Sequence, residues 1–339
     1  MSSRRNLKYS LAINEALTQI MDQDPSVLLM GQGVRSPWYV GETANGLLEK
    51  FGSRRVIDTP VSENAITGAA VGAAVAGMRP IVIHPRMDFM FFAFDPIINQ
   101  AANWRYMSGG KSSCPIVFWG IVNRGGEQAA QHSQSLHGLF AHVPGLKVVM
   151  PSTPADAKGL LTAAILDPDP VVFIDDRWLY QVEDSVPIGR HVVPIGSAVV
   201  RFPGYDITIA GISYAAHLAG LAHEALAKKG ISAEIVDLRS ASPLDHETLT
   251  ESVSKTGRAL VVDGGWRSGG FAAEVSAVIS ECCFDSLETP VVRLTLPDAP
   301  APAARSLEAA YYFGTEQIVT AALQLCSGGR MPQSKMAGR

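Results

Sequence analysis

A basic surplus, a cysteine ligand set and a long apolar run are all missing from this sequence, and each absence removes a class of function. The 28 Lys and Arg against 32 Asp and Glu leave a formal net charge of -4 over 339 residues. That balance offers no basic face to nucleic acid or to an anionic membrane. Four cysteines are present: Cys114, Cys282, Cys283 and Cys326. They have no metal-ligand spacing, and the adjacent Cys282–Cys283 pair suits neither zinc nor an ordinary disulfide. They read as reduced thiols of a cytoplasmic protein. No stretch approaches about 18 continuous apolar residues, so no transmembrane helix is expected. Arg4, Arg5 and Lys8 are followed by no apolar run, so no secretory signal is expected either. Charged residues make up only 18% of the chain and hydrophobic ones 47%, which leaves material for a large core and length enough for two domains.

What is present is an alternation. Short apolar runs read as strands: Val27–Met30, Arg55–Asp58, Arg79–His84, Pro115–Ile121, Val148–Met150 and Val171–Ile174. Segments of helical periodicity lie between several of them, such as Tyr9–Met21 and the stretch opening at Thr153-Pro154-Ala155-Asp156. Residues 180–204 interrupt the pattern with Pro187, Gly189, Pro194, Gly196, Pro203 and Gly204. The alternation then resumes with strands Ile207–Ile212, Ala233–Leu238, Ala259–Val262 and Val291–Leu294. Such alternation implies parallel strands covered by helices. The expected fold class is α/β, with two consecutive parallel-sheet domains, 1–190 and 191–327, and a disordered tail at 328–339. Gly31-Gln32-Gly33 begins a dinucleotide fingerprint, but Ser36 stands where its third glycine belongs and Pro37 follows.

The chain is organised around Asp58-Thr59-Pro60-Val61-Ser62-Glu63 and the helix behind it. That helix, Asn64 to Gly77, has hardly a side chain larger than Val and contains Gly68, Gly72 and Gly77. Each helical glycine costs about 1 kcal/mol against alanine, so the run suggests close packing against a partner helix or a ligand. Glu63 at its mouth is a candidate functional carboxylate; its alternative is an ordinary N-terminal Glu favoured by the helix dipole. Phe89 lies in an aromatic cluster whose other members, Phe91, Phe92 and Phe94, read as mostly core. The polar loop Asn123-Arg124-Gly125-Gly126-Glu127 delivers His132, with His137 close behind.

Arg55 through Glu63 resembles a signature of the β subunits of thiamine-diphosphate-dependent 2-oxoacid dehydrogenases (E1β). So do Tyr106-Met107-Ser108-Gly109-Gly110, Ala130-Gln131-His132-Ser133-Gln134, Pro144-Gly145-Leu146-Lys147-Val148-Val149 and Asp237-Leu238-Arg239. The resemblance runs in order over residues 7 to 325. It implies a transketolase-type pyrimidine-binding domain followed by a transketolase C-terminal domain. It implies that Glu63 is catalytic and binds the cofactor's aminopyrimidine, that Phe89 packs on that ring, and that His132 is a second catalytic residue beside the substrate. Arg86 and His137 are substrate candidates. Some family members hold potassium, and the matching positions are Ile116, Ala164, Ile165, Asp167 and Asp169. Thiamine diphosphate is shared with an α subunit that binds the diphosphate and its Mg2+ through a Gly-Asp-Gly motif. The nearest run here, Asp263-Gly264-Gly265, lacks that order. The implied assembly is an α2β2 heterotetramer, with a lipoyl-bearing E2 core as a further partner in some members.

The sequence departs from the family at Gly31-Gln32-Gly33, where Gly-Glu-Asp or Gly-Glu-Glu is usual. It departs again at His84-Pro85-Arg86-Met87 and at Phe118-Trp119-Gly120-Ile121, where Arg-Gly-Pro is usual. These changes are expected around the substrate end of the site and point away from pyruvate or branched-chain substrates. Arg86 suits a substrate carboxylate or phosphate, or a solvated salt bridge. Three readings follow: a dehydrogenase β subunit passing an acyl unit to a lipoyl group; a split transketolase-like or acyl-transferring enzyme with a sugar-phosphate or carrier-protein acceptor; and a non-catalytic assembly subunit.

Overall fold

The computed structural model describes residues 4–328. The chain separates into two compact units. The first holds the residues up to Arg124 together with Leu139–Ile195; the second holds Gly125–Gly138 and the chain from Gly196 on. The tail expected at 328–339 lies, from residue 329, outside the described residues. Among the described residues no helix is long and apolar enough to cross a membrane.

The first unit opens with β1 (Arg4–Lys8), α1 (Tyr9–Gln23), β2 (Val27–Gly31), α2 (Pro37–Val40) and α3 (Leu47–Phe51). It continues through β3 (Val56–Asp58), α4 (Glu63–Val75) and β4 (Arg79–His84). A 3-10 stretch (Met87–Ala93) and a wider π stretch (Asp95–Ala101) lead into α5 (Ala102–Met107) and β5 (Val117–Val122). After α6 (His137–Ala141) come β6 (Lys147–Val149), α7 (Pro154–Leu166), β7 (Val171–Asp176) and β8 (Glu183–Pro187). Strands lie side by side in the order β6-β7-β5-β4-β2-β3, all parallel. β5 and β7 are buried along their whole length, as a sheet covered on both faces requires. Thr153 caps α7 by accepting a hydrogen bond from the Asp156 amide at 3.2 Å, so the Thr-Pro-x-Asp start reads correctly from sequence. β1 and β8 pair antiparallel, a ribbon the apolar pattern does not announce.

The second unit contains β9 (Val199–Phe202), β10 (Ile207–Gly211), α8 (Ser213–Ala227), β11 (Ala233–Asp237), β12 (Ser240–Ser242) and α9 (His246–Thr256). β13 (Ala259–Trp266), α10 (Phe271–Cys282), β14 (Val292–Leu296), α11 (Arg305–Tyr311) and α12 (Thr315–Cys326) complete it. Its sheet order is β14-β13-β10-β11-β9, parallel except for the edge strand β9. Ile207, Ile209, Leu226, Ile235, Leu260 and Ile318 form its fully buried centre. Both units are thus α/β with mostly parallel sheets.

Trp119 corrects one expectation. It lies in the middle of β5, fully buried and edge-on to Phe173 at 5.9 Å, so it belongs to the core and not to a substrate surface. Its indole N–H donates to Asp175 Oδ1 at 2.9 Å. Burial pushes the Asp175 carboxyl up to about 7, against the pull of that bond. The folded state therefore holds a proton that the unfolded chain releases above its ordinary carboxylate range. Stability then falls as pH rises towards 7. Asp175→Asn keeps the acceptor and removes the charge. It is expected to raise the melting temperature relative to the parent, by several degrees more at about pH 8 than at about pH 5. Equal shifts at both pH values, read by scanning calorimetry, would contradict this.

Candidate functional site

Three parallel strands of the first unit end together. Gly31 of β2 pairs with Asp58 of β3 on one side and with Ile83 of β4 on the other. The next residues, Gln32, Thr59 and His84, therefore stand at the carboxyl ends of adjacent strands, where open α/β sheets bind ligands. Gly31 makes this possible: its φ is +151°, and a Cβ there would lie 2.4 Å from the Ile83 carbonyl oxygen. Gln32 Oε1, Thr59 Oγ1 and His84 Nδ1 are buried without hydrogen-bond partners among the described residues. The other ring nitrogen of His84 lies 3.3 Å from Thr67 Oγ1, one helical turn beyond Glu63 on α4. Burial pushes the His84 pKa down to about 4, so its ring is neutral at physiological pH.

Glu63 is the first residue of α4 and only 8% exposed. Its carboxylate makes no hydrogen bond or ion pair with any described residue. Its acceptor capacity remains open to a ligand. The donor and acceptor set at these strand ends fits an aminopyrimidine, which offers ring nitrogens and an amino group. Phe89 lies in the 3-10 stretch after β4, half-buried and stacked on Phe92 at 6.5 Å. The expectation that its neighbours are core is corrected: Phe92 is 66% exposed, Phe91 is exposed and Phe94 half-buried. The 3-10 winding turns successive side chains to different sides, so a dense aromatic run does not bury as one face. Arg86 is buried between the strand end and Phe89 in sequence.

The loop Gly125–Gly138 belongs to the second unit. Gly125, Gly126, Glu127 and Ala129 all have positive φ, between 59° and 76°, a tight left-handed winding. The Glu308 carboxylate of α11 accepts the Glu127 amide at 3.2 Å. His132 is half-exposed near the middle of this loop. At the loop's end Ser135 Oγ lies 3.0 Å from His137 Nδ1, and His137 Nε2 lies 3.0 Å from Asp263 Oδ1. His137 and Asp263 are each 1% exposed. Phe271 meets the His137 ring edge-on at 5.6 Å, and a Cβ on Gly265 would lie 3.1 Å from His137 Cε1. His137 is thus enclosed, with a hydroxyl beside one ring nitrogen and a carboxylate beside the other, and anchors the loop that carries His132. Burial raises the Asp263 pKa, but the contact with His137 and the Gly265 and Ala272 amides outweigh it and hold the carboxyl below its usual range. Sequence reasoning passed over Asp263 by ending the strand at Val262. β13 continues to Trp266, which puts Asp263 inside. An acidic residue after a Val-Val run at the end of a strand was the available signal.

The five potassium candidates sit around the C-terminus of α7 in the first unit. Ala164 O lacks a helical donor because residue 168 is proline. Ile165 O and Asp167 O accept from Arg79 Nη1 at 2.8 and 3.1 Å. Lys147 Nζ reaches both Asp167 carboxylate oxygens at 2.7 Å, and Arg105 pairs with Asp169. Ile116 O accepts the Val171 amide at 3.0 Å. The donor chemistry suits a monovalent cation, yet much of it already holds the chain's own cations.

The comparisons with known proteins agree with this layout. A family model described as transketolase, pyrimidine binding domain, matches residues 5–183, and one described as transketolase, C-terminal domain, matches residues 196–318. The chain is 45% identical over 337 residues to the β subunit of acetoin:2,6-dichlorophenolindophenol oxidoreductase from Cupriavidus necator, covering 96% of this chain and 99% of the relative. It is 43% identical over 321 residues to the β subunit of 2-oxoisovalerate dehydrogenase from Bacillus subtilis, covering 94% and 98%. It is 39% identical over 315 residues to the β subunit of the pyruvate dehydrogenase E1 component from Rickettsia felis, covering 93% and 97%. A solved chain described as split gene transketolase, inactive beta4 tetramer, has the same fold, with TM-score 0.73 and 20% identity over 96% of this chain and 99% of that one. With both domain families in order and relatives of this identity over nearly its whole length, the chain belongs to the E1 β subunits of the thiamine-diphosphate-dependent 2-oxoacid dehydrogenases.

Proposed function

We propose that this chain is the β half of a heteromeric enzyme that decarboxylates a 2-oxo acid and passes the acyl or aldehyde unit to an acceptor such as a lipoyl group. The observation that carries the reading is Glu63, a residue only 8% exposed beside the ends of parallel strands, whose carboxylate has no hydrogen bond or ion pair among the described residues. Thiamine diphosphate, when bound, supplies the nucleophilic carbon and takes up the electron pair that carbon dioxide leaves behind. Glu63 holds a proton at N1' of the aminopyrimidine and so sets the basicity of its amino group. Phe89 offers its ring face to the pyrimidine, and His132 moves protons at the substrate near neutral pH. The diphosphate and its Mg2+ fall to the α subunit in this reading. A potassium ion at the α7 terminus is a structural addition. A cytoplasmic location is part of the reading and is supported by four cysteines that stay free.

An α2β2 assembly is proposed on the face of α4. Ala65, Gly68, Ala69 and Gly72 follow helical spacing and are all exposed. A Cβ added at Gly68 or Gly72 meets no atom within 4 Å, so nothing inside this chain requires glycine there. The deciding experiment is the native mass of this chain co-purified with its α subunit, with thiamine diphosphate and magnesium present. Two copies of each chain with two cofactors are expected. Gly72→Phe is expected to leave this chain folded and to prevent assembly. A homo-oligomer that binds the cofactor tightly without a partner would defeat the proposal.

A further inference from the structure

One buried arginine of the first unit meets a carboxylate: the Arg124 guanidinium lies 2.7 Å from Asp176. Arg86 does not. It is 8% exposed, yet the only hydrogen bond of its guanidinium among the described residues is from Nη1 to the Pro85 carbonyl at 2.8 Å. Its Nε is buried without any partner. The neighbouring cation, Arg177, likewise has no ion pair among the described residues and donates to the carbonyls of Pro37, Trp38 and Tyr39 at 3.2, 2.8 and 3.4 Å. Burial lowers the Arg86 pKa first and the Arg177 charge lowers it further, against the opposing influence of Asp88. A buried guanidinium near a second one, with an unpartnered Nε and no ion pair among the described residues, is costly to maintain, and its planar fork matches a carboxylate or a phosphate.

We propose that Arg86, assisted by Arg177, seats a second anionic group at the far end of the substrate, a carboxylate or a phosphate. The inference rests on the 2-oxo acid reading above. The carboxylate next to the reacting carbonyl is the poorer occupant: it leaves as neutral carbon dioxide. A cation clamped on it would stabilise the ground state more than the transition state and oppose the reaction. An anion that stays through the reaction carries no such penalty. The seat also lies three residues before Phe89, the candidate ring-packing residue, close in sequence to the proposed cofactor site.

The test uses the complete α/β complex with an artificial electron acceptor. Rates with pyruvate and 2-oxobutanoate are compared with 2-oxoglutarate for the carboxylate source and with a phosphorylated ketose for the phosphate source. The parent is expected to favour one anionic-tailed substrate by at least about tenfold in kcat/KM. Arg86→Leu is expected to lose about 10- to 100-fold on that substrate, mainly through KM, and under about threefold on the uncharged-tail acids. Glutarate against butyrate, and a sugar phosphate against the free sugar, serve as inhibitors of the parent alone, so the answer does not depend on the variant folding. Equal losses on both substrate classes overturn the seat. So does a parent that neither turns over nor is inhibited by the charged-tail compounds better than by their uncharged counterparts. Calorimetry of thiamine diphosphate binding separates the two levels. Binding without tail preference removes the seat alone, whereas no binding removes the functional reading and the seat with it.

Discussion

Glu63→Gln is expected to slow turnover of the assembled enzyme about 100- to 10,000-fold, the range found when a positioned acid–base group is lost. The substitution is nearly isosteric, so α4 and its buried first turn should persist. What disappears is the ability to carry a proton at a site where no other described residue hydrogen-bonds or pairs with the carboxylate. The four small exposed residues along α4 do not titrate, and the His84 imidazole nearby stays neutral, so neither replaces it. Thiamine diphosphate binding, measured by calorimetry on the same complex, should weaken far less than turnover. The split matters, because an interaction that forms fully only on the way to the transition state affects kcat more than binding. A Gln variant that turns over within about threefold of the parent would remove Glu63 from the mechanism.

The second large effect is expected at Asp263. Asp263→Ala leaves the His137 ring without its carboxylate and leaves the Gly265 and Ala272 amides without their acceptor. Removing one partner of a buried pair costs about 3–5 kcal/mol, which for a unit of this size lowers the melting temperature by about 10 °C or more. The pH dependence has a definite sign. The folded Asp263 pKa lies below its unfolded value, so its stabilisation is present above the ordinary carboxylate range and is lost as pH falls through the lower folded value. Parent and variant should therefore differ by a constant amount near neutrality and converge in acid. Asp263→Asn, which keeps an acceptor oxygen, should fall between them. Because Ser135 and His137 close the loop that bears His132, turnover should fall in the same order. A melting temperature within about 2 °C of the parent near pH 7 would show that the pair contributes little.

The strands of both sheets were legible because each is a short run of Val, Ile and Leu bounded by Gly, Pro or Asp, and β4, β5, β7, β10 and β11 all fall within two residues of the expected ends. The ribbon of Arg4–Lys8 on Glu183–Pro187 was not legible. Its residues are mostly polar, and its stability comes from a partner about 180 positions away. β9, alternately half-buried and exposed, fell in the Pro- and Gly-rich stretch that reads as a connection. The helix of Gly and Ala after Glu63 announced close packing, but only the fold identifies Ala65, Gly68, Ala69 and Gly72 as the uncovered face. Likewise a Phe-rich run announces burial in general, whereas Phe91 and Phe92 point outward because the 3-10 winding there distributes them.

By itself the sequence determined the α/β class, the order of two similar units, the family, and the carboxylate and loop histidine on which a function was read. These depend on local periodicity and on residues in a fixed linear order, which the chain carries without folding. Only the tertiary structure decided that among the described residues Glu63 has no hydrogen bond or ion pair and Arg86 is buried without an ion pair, that Trp119 is core, and that His137 is clasped by Ser135 and Asp263. Each of those facts concerns which polar groups lose water and what meets them afterwards. That is set by contacts between distant segments, and no local pattern encodes it.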